Sequence, residues 1–560
     1  MHRRPVIGRR LFLNSDVYMK KYFFFCIFAM ALLSACNQSG EPIDHNYTIP
    51  SWTLYQRALY SGQSVNEAKT LLVSKDYPYC INTTINGNPS TQMGIAWFTN
   101  ANITGGVVQI VEGNAADAAA FAKAREIPAV SVAVDTVNYV SLGTTNATTN
   151  VYSNTNEELI AATGFSKGEK RSYTGNKVLI ENLKPNTVYS YRVGKKGAWS
   201  KIGSFTTANN SKDAFEFIYV TDTQSNTDEM FDISARTITT AFRQVPNAKF
   251  LLITGDLTET GDKQSSEWEW EQWFEKMQNV WLRLPVVPMQ GNHDVIGNMF
   301  HHFNTDNTFN NLQSSSDAKA NMDGTVYSFV YGDALFMAIT FEDYAKGEPY
   351  FSVLEKWMRT QVDANPSVKW RIVAFHRAMF TGSSDHQNER EGRVQNGKAI
   401  RDRFAGVFQD LNIDLALQGH DHVYEVIGVI KADGTTYTHL PDAVTDLKFS
   451  EPTFADGTVP SANVTGKSGG TFDVSDGMIY FLNNSAGAKK YYPRSKKEME
   501  ETKHLHGVEN YFEMFNQFGQ TDEPTFSHIK VSTDAIEVAT YTIDDNGKDT
   551  LFDSFRIVKK

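Results

Sequence analysis

The sequence predicts an N-terminal β-sandwich followed by an α/β domain whose mixed sheets are flanked by helices. A chain of 560 residues exceeds one ordinary hydrophobic core, which favours two domains. Short β-type runs separated by turn residues fill the first part, whereas strand-like runs alternate with amphipathic helices from residue 213 onward. The pattern changes near the polar stretch 208–211, which we take as the domain boundary.

The composition indicates a folded protein and excludes some partners. Hydrophobic residues make up 41% of the chain and aromatic residues 12%, which is typical of a globular protein. The formal net charge is -11, and no long Lys/Arg run is present. The sequence therefore gives no support for nucleic-acid binding.

Residues 1–36 predict an export signal with a lipid attachment site. Lys20 and Lys21 precede the apolar run 22–33, which is too short to span a bilayer permanently. Leu33-Ser34-Ala35-Cys36 resembles the lipobox of bacterial lipoproteins, in which the cysteine is acylated and becomes the first mature residue. We therefore expect an exported protein, lipid-anchored at Cys36 to the bacterial cell envelope. The alternative is that residues 22–33 form a buried apolar segment and that Cys36 follows it by chance. The sequence leaves open whether translation starts at Met1 or Met19 and whether the anchor lies in the inner or the outer membrane.

The next two segments are a tether and a β-rich domain. Residues 37–76 start with a polar tether, and residues 77–207 carry the sandwich signals. The runs 177–180 and 188–193, joined by a Pro/Asn turn, predict a hairpin, and the Ala-rich stretch 115–125 predicts a helical insertion. Cys80 would be the single cysteine of the mature chain, so no intramolecular disulfide is expected.

The second domain, residues 213–560, carries helices with apolar residues at helical spacing. The predicted helices are 229–244, 267–279, 353–362 and 398–411. Trp270, Trp273 and Trp281, together with Trp268, are expected to pack between elements, not to form a sugar platform. His301 and His302 are expected in a solvated loop.

Metal-binding side chains follow five of the strand-like runs of this domain. In order the clusters are Asp222-Thr223-Gln224, Gly255-Asp256, Gly291-Asn292-His293-Asp294, Phe375-His376 and Gly419-His420-Asp421-His422. Each cluster alone is also typical of a turn or a helix cap. Ligands at α/β strand ends meet at one rim, so the five together predict a two-metal hydrolytic site.

The donor types suit a pair of cations. Carboxylate and amide oxygens bind hard cations, and imidazole also binds Zn²⁺ and Fe²⁺. An aspartate between two cations can hold them about 3.5–4 Å apart, and a water shared by both becomes hydroxide near neutral pH.

These motifs resemble the metallophosphoesterase signature, and within that superfamily the chain is most similar to the purple acid phosphatases. The resemblance covers nearly all of the chain past Tyr77. The segment 183–194 resembles a hairpin of their fibronectin type III-like N-terminal domain, 419–425 a catalytic-domain motif, and 525–531 their C-terminal strands. The resemblance implies an acid phosphatase-like enzyme that hydrolyses phosphate monoesters by in-line attack of a metal-bridging hydroxide.

Carried over residue by residue, the resemblance implies a role for each cluster. Asp222, Asp256 and His422 would hold the first metal, with Asp256 bridging to a second metal held by Asn292, His376 and His420. His293 would be the general acid, with Asp294 placed to orient it. Asn292 and His386 would contact the substrate. The metals would be Fe, Zn or Mn, with the pair left open.

Two positions depart from the family pattern. The superfamily usually has a histidine two residues after the first aspartate, where this chain has Gln224. Purple acid phosphatases instead take a tyrosine three residues after the Gly-Asp aspartate, where this chain has Glu259. The first metal would then be held by fewer ligands or by the Gln224 carbonyl oxygen, and we expect a colourless enzyme.

Two other functions stay open from the sequence. The same metals would serve a phosphodiesterase acting on cyclic nucleotides or lipid head groups. A surface binding lipoprotein with a degenerate site is the second alternative, supported by Gln224 and the missing tyrosine. The substrate and the oligomeric state are not determined by the sequence.

Overall fold

The computed structural model describes residues 78–100, 103, 105–137, 145–146, 151–152, 170–225, 227–259, 267–294, 299–305, 322, 324–383, 396–430, 438–439, 470–491 and 515–560. The predicted signal, Cys36, the tether and His386 lie outside these residues. Within this part of the chain, no helix combines the length and apolar character needed to cross a membrane.

The N-terminal part is built almost entirely of strands. They are β1 (Tyr79–Thr84), β2 (Met93–Asn100), β3 (Val107–Glu112), β4 (Arg125–Pro128), β5 (Val130–Val137), β6 (Thr145–Asn146), β7 (Val151–Tyr152), β8 (Lys170–Ile180), β9 (Val188–Lys195), β10 (Ala198–Trp199) and β11 (Gly203–Thr206). Strands β1, β2, β8 and β5 lie side by side in one sheet, and β10, β9, β3 and β4, with β11 beside β9, form a second sheet. Apolar side chains of β1, β2 and β8 meet those of β3 and β9 in a shared core, so the two sheets form the expected sandwich.

The connection 181–187 is not a hairpin, which corrects the sequence prediction. β8 pairs with β2 and β5, whereas β9 pairs with β3, β10 and β11 in the opposite sheet. The hydroxyl of Tyr189 accepts a hydrogen bond from the backbone N–H of Lys184 at 2.9 Å. This tyrosine corner is typical of a connection that crosses between sandwich sheets.

The second part alternates strands and helices. Its strands are β12 (Phe215–Val220), β13 (Leu251–Ile253), β14 (Val286–Pro288), β15 (Tyr327–Tyr331), β16 (Ala334–Ala338), β17 (Trp370–Arg377), β18 (Leu415–Gly419), β19 (Tyr424–Ile430), β20 (Thr438–His439), β21 (Gly470–Asp473), β22 (Gly477–Leu482), β23 (Phe515–Gly519), β24 (Thr525–Val531), β25 (Ile536–Ile543) and β26 (Asp549–Val558). The α-helices are α1 (Asp228–Gln244), α2 (Glu267–Lys276), α3 (Gln278–Trp281), α4 (Met299–His302), α5 (Glu348–Ala364) and α6 (Asn396–Asp410). 3₁₀ helices lie at Ala118–Lys123 and Tyr344–Lys346.

Two mixed sheets pack face to face with helices on their outer faces. One has the order β21-β26-β25-β24-β12-β13-β14-β1-β2-β8-β5, and the other runs β15-β16-β17-β18-β22-β19-β20 with β23 beside β19. Alternate residues of β12 show the layering: Phe217 faces the core between the sheets, whereas Ile218 faces α1 and α2. Helices α5 and α6 cover the outer face of the second sheet. This is the predicted mixed α/β architecture flanked by helices.

The first of these sheets crosses the domain boundary predicted from the sequence. β1 lies parallel to β14 with Thr84 opposite Val286, so strands of the N-terminal part extend the sheet of the second part. Gln278 adds to this junction, because its side chain donates to the carbonyl of Ile81 at 2.6 Å and accepts from its N–H at 3.0 Å. The two predicted domains therefore share one hydrogen-bonded sheet.

Two helices differ from their predicted bounds. Helix α5 begins at Glu348, before the predicted start at residue 353, because Pro349 suits a first turn and Tyr350 and Phe351 extend the buried face. The predicted helix 267–279 breaks after Lys276 and resumes at α3. The Ala-rich stretch is helical over Ala118–Lys123, as a six-residue 3₁₀ helix with Phe121 as its buried side chain.

Side-chain packing agrees with the expected role of the tryptophans but not with that of His302. Trp270, Trp273 and Trp281 are buried in one cluster, as predicted, and the side chain of Trp268 is outside the described part. His302 is fully buried and stacks on Phe98 at 4.1 Å between ring centres, so the solvated-loop prediction is wrong for this residue.

Candidate metal centre

The five sequence clusters converge where the carboxyl ends of strands from both sheets meet. Asp222, Gln224, Asp256 and Asn292 follow β12, β13 and β14 of one sheet. The imidazoles come from the facing sheet, with His376 near the end of β17 and His420 and His422 after β18. Oxygen donors and nitrogen donors therefore reach the site from opposite sides of the central core, so a bound ion would link the two sheets.

The backbone is left-handed at four of these side chains. φ is 53° at Asp222, 50° at Asp256, 81° at His420 and 45° at His422. Such conformations cost a non-glycine residue about 1–3 kcal/mol and concentrate at functional sites, where the surrounding structure maintains them. Here they turn each side chain from the end of its strand toward the common centre.

Asp256 lies at the middle of the cluster. Its Oδ2 is 3.2 Å from Nε2 of His376 and accepts a hydrogen bond from Nε2 of Gln224 at 3.3 Å. Its Oδ1 accepts from the backbone N–H of His293 at 2.9 Å. Asp256, His376 and His420 place one potential ligand atom each within 4.8 Å of one another.

The remaining ligand candidates form two groups around this carboxylate. On one side, Nε2 of His422 lies 3.2 Å from an oxygen of Asp222. On the other, Nε2 of His376 lies 3.1 Å from Oδ1 of Asn292 and 3.2 Å from Nδ1 of His420. The family resemblance implies that these two groups would hold different metals.

Backbone carbonyls orient two of the imidazoles. Nδ1 of His376 donates to the carbonyl of Thr254 at 2.8 Å, and Nδ1 of His422 donates to the carbonyl of Lys489 at 3.2 Å. Both contacts leave Nε2 unprotonated in the neutral ring and directed at the centre. Outer contacts of this kind fix the tautomer of metal-binding histidines.

Buried polar atoms without hydrogen bonds show that the donor set fits metal ions. Within the described residues, Oε1 of Gln224 and Nε2 of His422 are buried and make no hydrogen bond. An uncompensated buried polar atom is costly, whereas a cation would satisfy both. Carboxylate, amide and imidazole donors suit Fe, Zn or Mn.

Glycines allow the loops that carry the ligands to approach closely. A Cβ added to Gly291 would lie 2.2 Å from both the backbone nitrogen and Oδ1 of Asp256. At Gly255, where φ is 96°, a Cβ would lie 2.7 Å from Nδ1 of His376. These contacts leave no room for a side chain at either position.

Charges within the cluster shift the pKa values of Asp256 and His376 in opposite directions. Burial opposes both shifts by disfavouring charge. The nearby His376 and His293 nevertheless hold the pKa of Asp256 well below its usual range, and the Asp256 carboxylate raises the pKa of His376 to about 10. In the metal-free site, a proton on His376 therefore occupies a position that a cation would take.

His293 is placed beside the centre, but Asp294 does not orient it. Nδ1 of His293 contacts the carbonyl of Glu259, and its Nε2 lies 3.9 Å from Oδ2 of Asp256. Burial lowers its pKa, but the charges of Asp256 and Glu259 outweigh this and raise it overall.

The carboxyl of Asp294 instead joins two loops. It accepts from the backbone N–H of Leu257 at 3.3 Å and from that of Gly291 at 3.0 Å. Burial, reinforced by the charge of Asp256, raises the pKa of Asp294 to about 8. The expected Asp294–His293 contact is therefore replaced by a structural role for Asp294.

Three residues at the rim were not assigned to the site from the sequence. Lys489 forms an ion pair with Glu259, and the ring of Tyr491 stacks on His422 with 4.2 Å between ring centres. In the sequence, Glu259 is apparent only as the residue at the family's tyrosine position. Lys489 and Tyr491 follow β22 without a recognisable motif, so no sequence signal marked them.

Comparisons with known proteins agree with this architecture. Residues 78–207 match the model of the purple acid phosphatase N-terminal domain, and residues 215–424 match that of the calcineurin-like phosphoesterases. Probable purple acid phosphatase 20 of Arabidopsis thaliana is 23% identical over 49% of this chain and 61% of its own length. Purple acid phosphatase 15 of the same plant is 24% identical over 44% of this chain and 48% of its own length.

A solved structure shows the same fold. Purple acid phosphatase PPD1 from yellow lupin seeds aligns over 87% of this chain and 75% of its own, with a TM-score of 0.56 and 13% identity. The chain spans about half the length of the curated relatives it matches.

The two family models match consecutive parts of the chain, the N-terminal domain first and the phosphoesterase domain second. The family uses two metal ions, which is consistent with the clustered candidate ligands. The chain therefore belongs to the metallophosphoesterase superfamily and is a purple acid phosphatase-like member with the N-terminal domain of that family.

Proposed function

We propose that this protein is an acid phosphatase-like enzyme that hydrolyses small phosphate monoesters at a dinuclear centre. The observation that carries the proposal is the buried cluster of Asp256, His376 and His420, whose potential ligand atoms lie within 4.8 Å of one another, with the Asp222–His422 pair joined to it by the N–H of His420. Two bound cations would neutralise the phosphate and activate the attacking water.

The protein's own residues supply orientation and a proton. Asp222, Asp256 and His422, with the buried Oε1 of Gln224, would hold one metal. Asp256 would bridge to a second metal, held by Asn292 together with His376 and His420. His293 is partly exposed and lies next to this centre, with Nε2 3.9 Å from Oδ2 of Asp256, so a protonated ring there would be placed to donate to a leaving alkoxide. General acid catalysis of this kind typically contributes about 10²–10⁴ in rate.

The first test combines metal analysis with a substrate comparison. We expect two equivalents of Fe, Zn or Mn per chain and faster hydrolysis of a chromogenic monoester than of the matching diester. Faster diester hydrolysis would support a phosphodiesterase instead. Less than one equivalent of metal with no hydrolysis would support a non-catalytic binding protein.

The second test removes the bridging charge. Asp256→Asn should lower kcat/KM by at least about 10²-fold, because an amide cannot bridge two cations as a carboxylate does. Asp545→Asn is the matched control, since Asp545 is almost fully exposed. Activity of Asp256→Asn within tenfold of the unmodified protein would contradict the two-metal assignment.

We also propose that the enzyme is exported and anchored to the bacterial cell envelope by lipid at Cys36. The support is the basic, apolar and lipobox-like sequence of residues 20–36. Cys36→Ser should abolish incorporation of radiolabelled palmitate and release the protein from the membrane fraction. Unchanged membrane association and labelling would refute the anchor.

A further inference from the structure

An ion pair crosses the rim of the metal centre at a position that the mechanism above does not use. Nζ of Lys489 lies 2.5 Å from both carboxylate oxygens of Glu259. Glu259 stands three residues after Asp256, and Lys489 stands in the segment that follows β22. β13 and β22 belong to different sheets, so the pair connects the two sides of the site.

Each partner also orients an imidazole through its own backbone carbonyl. The carbonyl of Glu259 contacts Nδ1 of His293, and the carbonyl of Lys489 accepts from Nδ1 of His422 at 3.2 Å. One side-chain contact therefore sets the separation between two carbonyls. One of these holds the candidate general acid and the other holds a candidate metal ligand.

Packing and charge around the pair suit a positioning role. Tyr491, two residues after Lys489, stacks on His422, so the segment 489–491 covers this imidazole with both a carbonyl and a ring. The side chains of Glu259 and Lys489 are 15% and 27% exposed, which places them at the mouth of the site and partly shields their attraction from solvent. Because the pair is neutral, Glu259 adds no net charge to repel an incoming phosphate.

We propose that Glu259 and Lys489 form a positioning pair that aligns His293 with the first metal position and thereby sets the preference for substrates with poor leaving groups. Of the two residues, Glu259 stands at the position where the family pattern has a tyrosine. The inference rests on the proposed phosphatase function. Glu259 would thus help to orient the candidate general acid His293.

The choice of substrate distinguishes positioning from general damage. An alkyl phosphate needs a proton on its leaving oxygen, whereas a nitrophenyl phosphate expels a stable anion and needs little help from an acid. Misplacement of a reacting group by about 1 Å can cost 10²-fold in rate. Lys489→Ala should therefore lower kcat/KM about 10–100-fold for the alkyl ester but less than about threefold for the nitrophenyl ester.

The test uses the full metal-loaded chain, both esters and metal analysis of every variant. Glu259→Gln should show the same selective loss, since its amide is nearly isosteric but cannot form the ion pair. The double variant Glu259→Lys with Lys489→Glu restores opposite charges and should recover at least part of the alkyl-ester activity. Lys184→Ala is the matched control, because it removes a lysine–glutamate ion pair, with Glu112, in the N-terminal sandwich outside the site.

The outcomes separate the inference from the proposed function. An unmodified protein inactive toward both esters overturns the proposed function. An active protein whose variants retain two metals and lose both activities equally, or lose neither, overturns the positioning pair. Should the double variant fail to fold, the ratio of the two esters in Glu259→Gln decides alone.

Discussion

Replacing Gly291 with alanine should disrupt the metal centre while leaving the fold in place. A Cβ at this position would lie 2.2 Å from Oδ1 and 2.9 Å from Cγ of Asp256. Non-bonded heavy atoms prefer separations of about 3.5–4.0 Å, so one of the two loops has to retreat by about 1 Å or more. Asp256 cannot yield easily, because its φ of 50° is constrained and its Oδ1 is bonded to the N–H of His293.

The size of the effect follows from this displacement. Overpacking a tight site costs about 1–3 kcal/mol of stability, which a protein with a large core can tolerate. A shift of about 1 Å in a reacting geometry can cost 10²-fold in rate. We therefore expect Gly291→Ala to fold, to bind at most one equivalent of metal and to lose about 10²-fold or more in kcat/KM.

The assay measures metal content, monoesterase kinetics and thermal unfolding of the same preparations. Gly406→Ala is the control, because a Cβ on this glycine in α6 meets no atom within 4 Å. Its fold should be stabilised by up to about 1 kcal/mol through helix propensity, with kinetics unchanged. Two bound metals and activity within threefold in Gly291→Ala would show that the close approach at Asp256 does not matter.

Three further predictions follow from the site. Asp294→Ala should reduce the free energy of unfolding by about 1–3 kcal/mol for each of the two buried N–H groups that it leaves unpaired. A loss of less than about 1 kcal/mol in denaturant titrations would argue against the role of Asp294 in joining the two loops. Metal affinity should rise with pH up to about 10, because the Asp256 carboxylate raises the pKa of His376 to about 10 and this proton must leave when a cation binds. Calorimetry in buffers of different ionisation enthalpy should detect the released proton, and a pH-independent affinity would contradict this. The metal-loaded protein should be colourless, because Glu259 stands where the family has its tyrosine; a strong visible band would refute this, and its loss in Tyr491→Phe would identify Tyr491 as the source.

Local sequence was sufficient to predict those helices and strands whose residue pattern lies within one segment. The amphipathic spacing of 229–244 predicted α1 to within one residue, since one helix face repeats every three to four positions. Elements that depend on distant partners were predicted less well. The runs 177–180 and 188–193 read as a hairpin, but their pairing with different strands is decided by the sandwich, and no local residue encodes it.

The candidate ligands could be named from the sequence because each follows a strand in a short motif of uncommon residue types. Asp222, Asp256, Asn292, His376, His420 and His422 could be assigned in this way, with the family resemblance supplying their division between two metals. The contacts that orient them could not be predicted, because they are made by carbonyls and side chains far away in the chain. The carbonyl of Lys489 lies 67 residues from His422, and Lys489 itself reaches across to Glu259.

The sequence by itself thus determined the two-part architecture and the candidate donor set, because periodicity and residue type are local properties; its family resemblance marked Gln224 and Glu259 as departures. Tertiary structure decided that the two parts share a sheet through β1 and β14, that Asp294 joins loops instead of orienting His293, and that Lys489 completes the rim. The physical reason is the same in each case. Hydrogen bonds and ion pairs between distant segments depend on how the two sheets pack, and that packing is a property of the whole core.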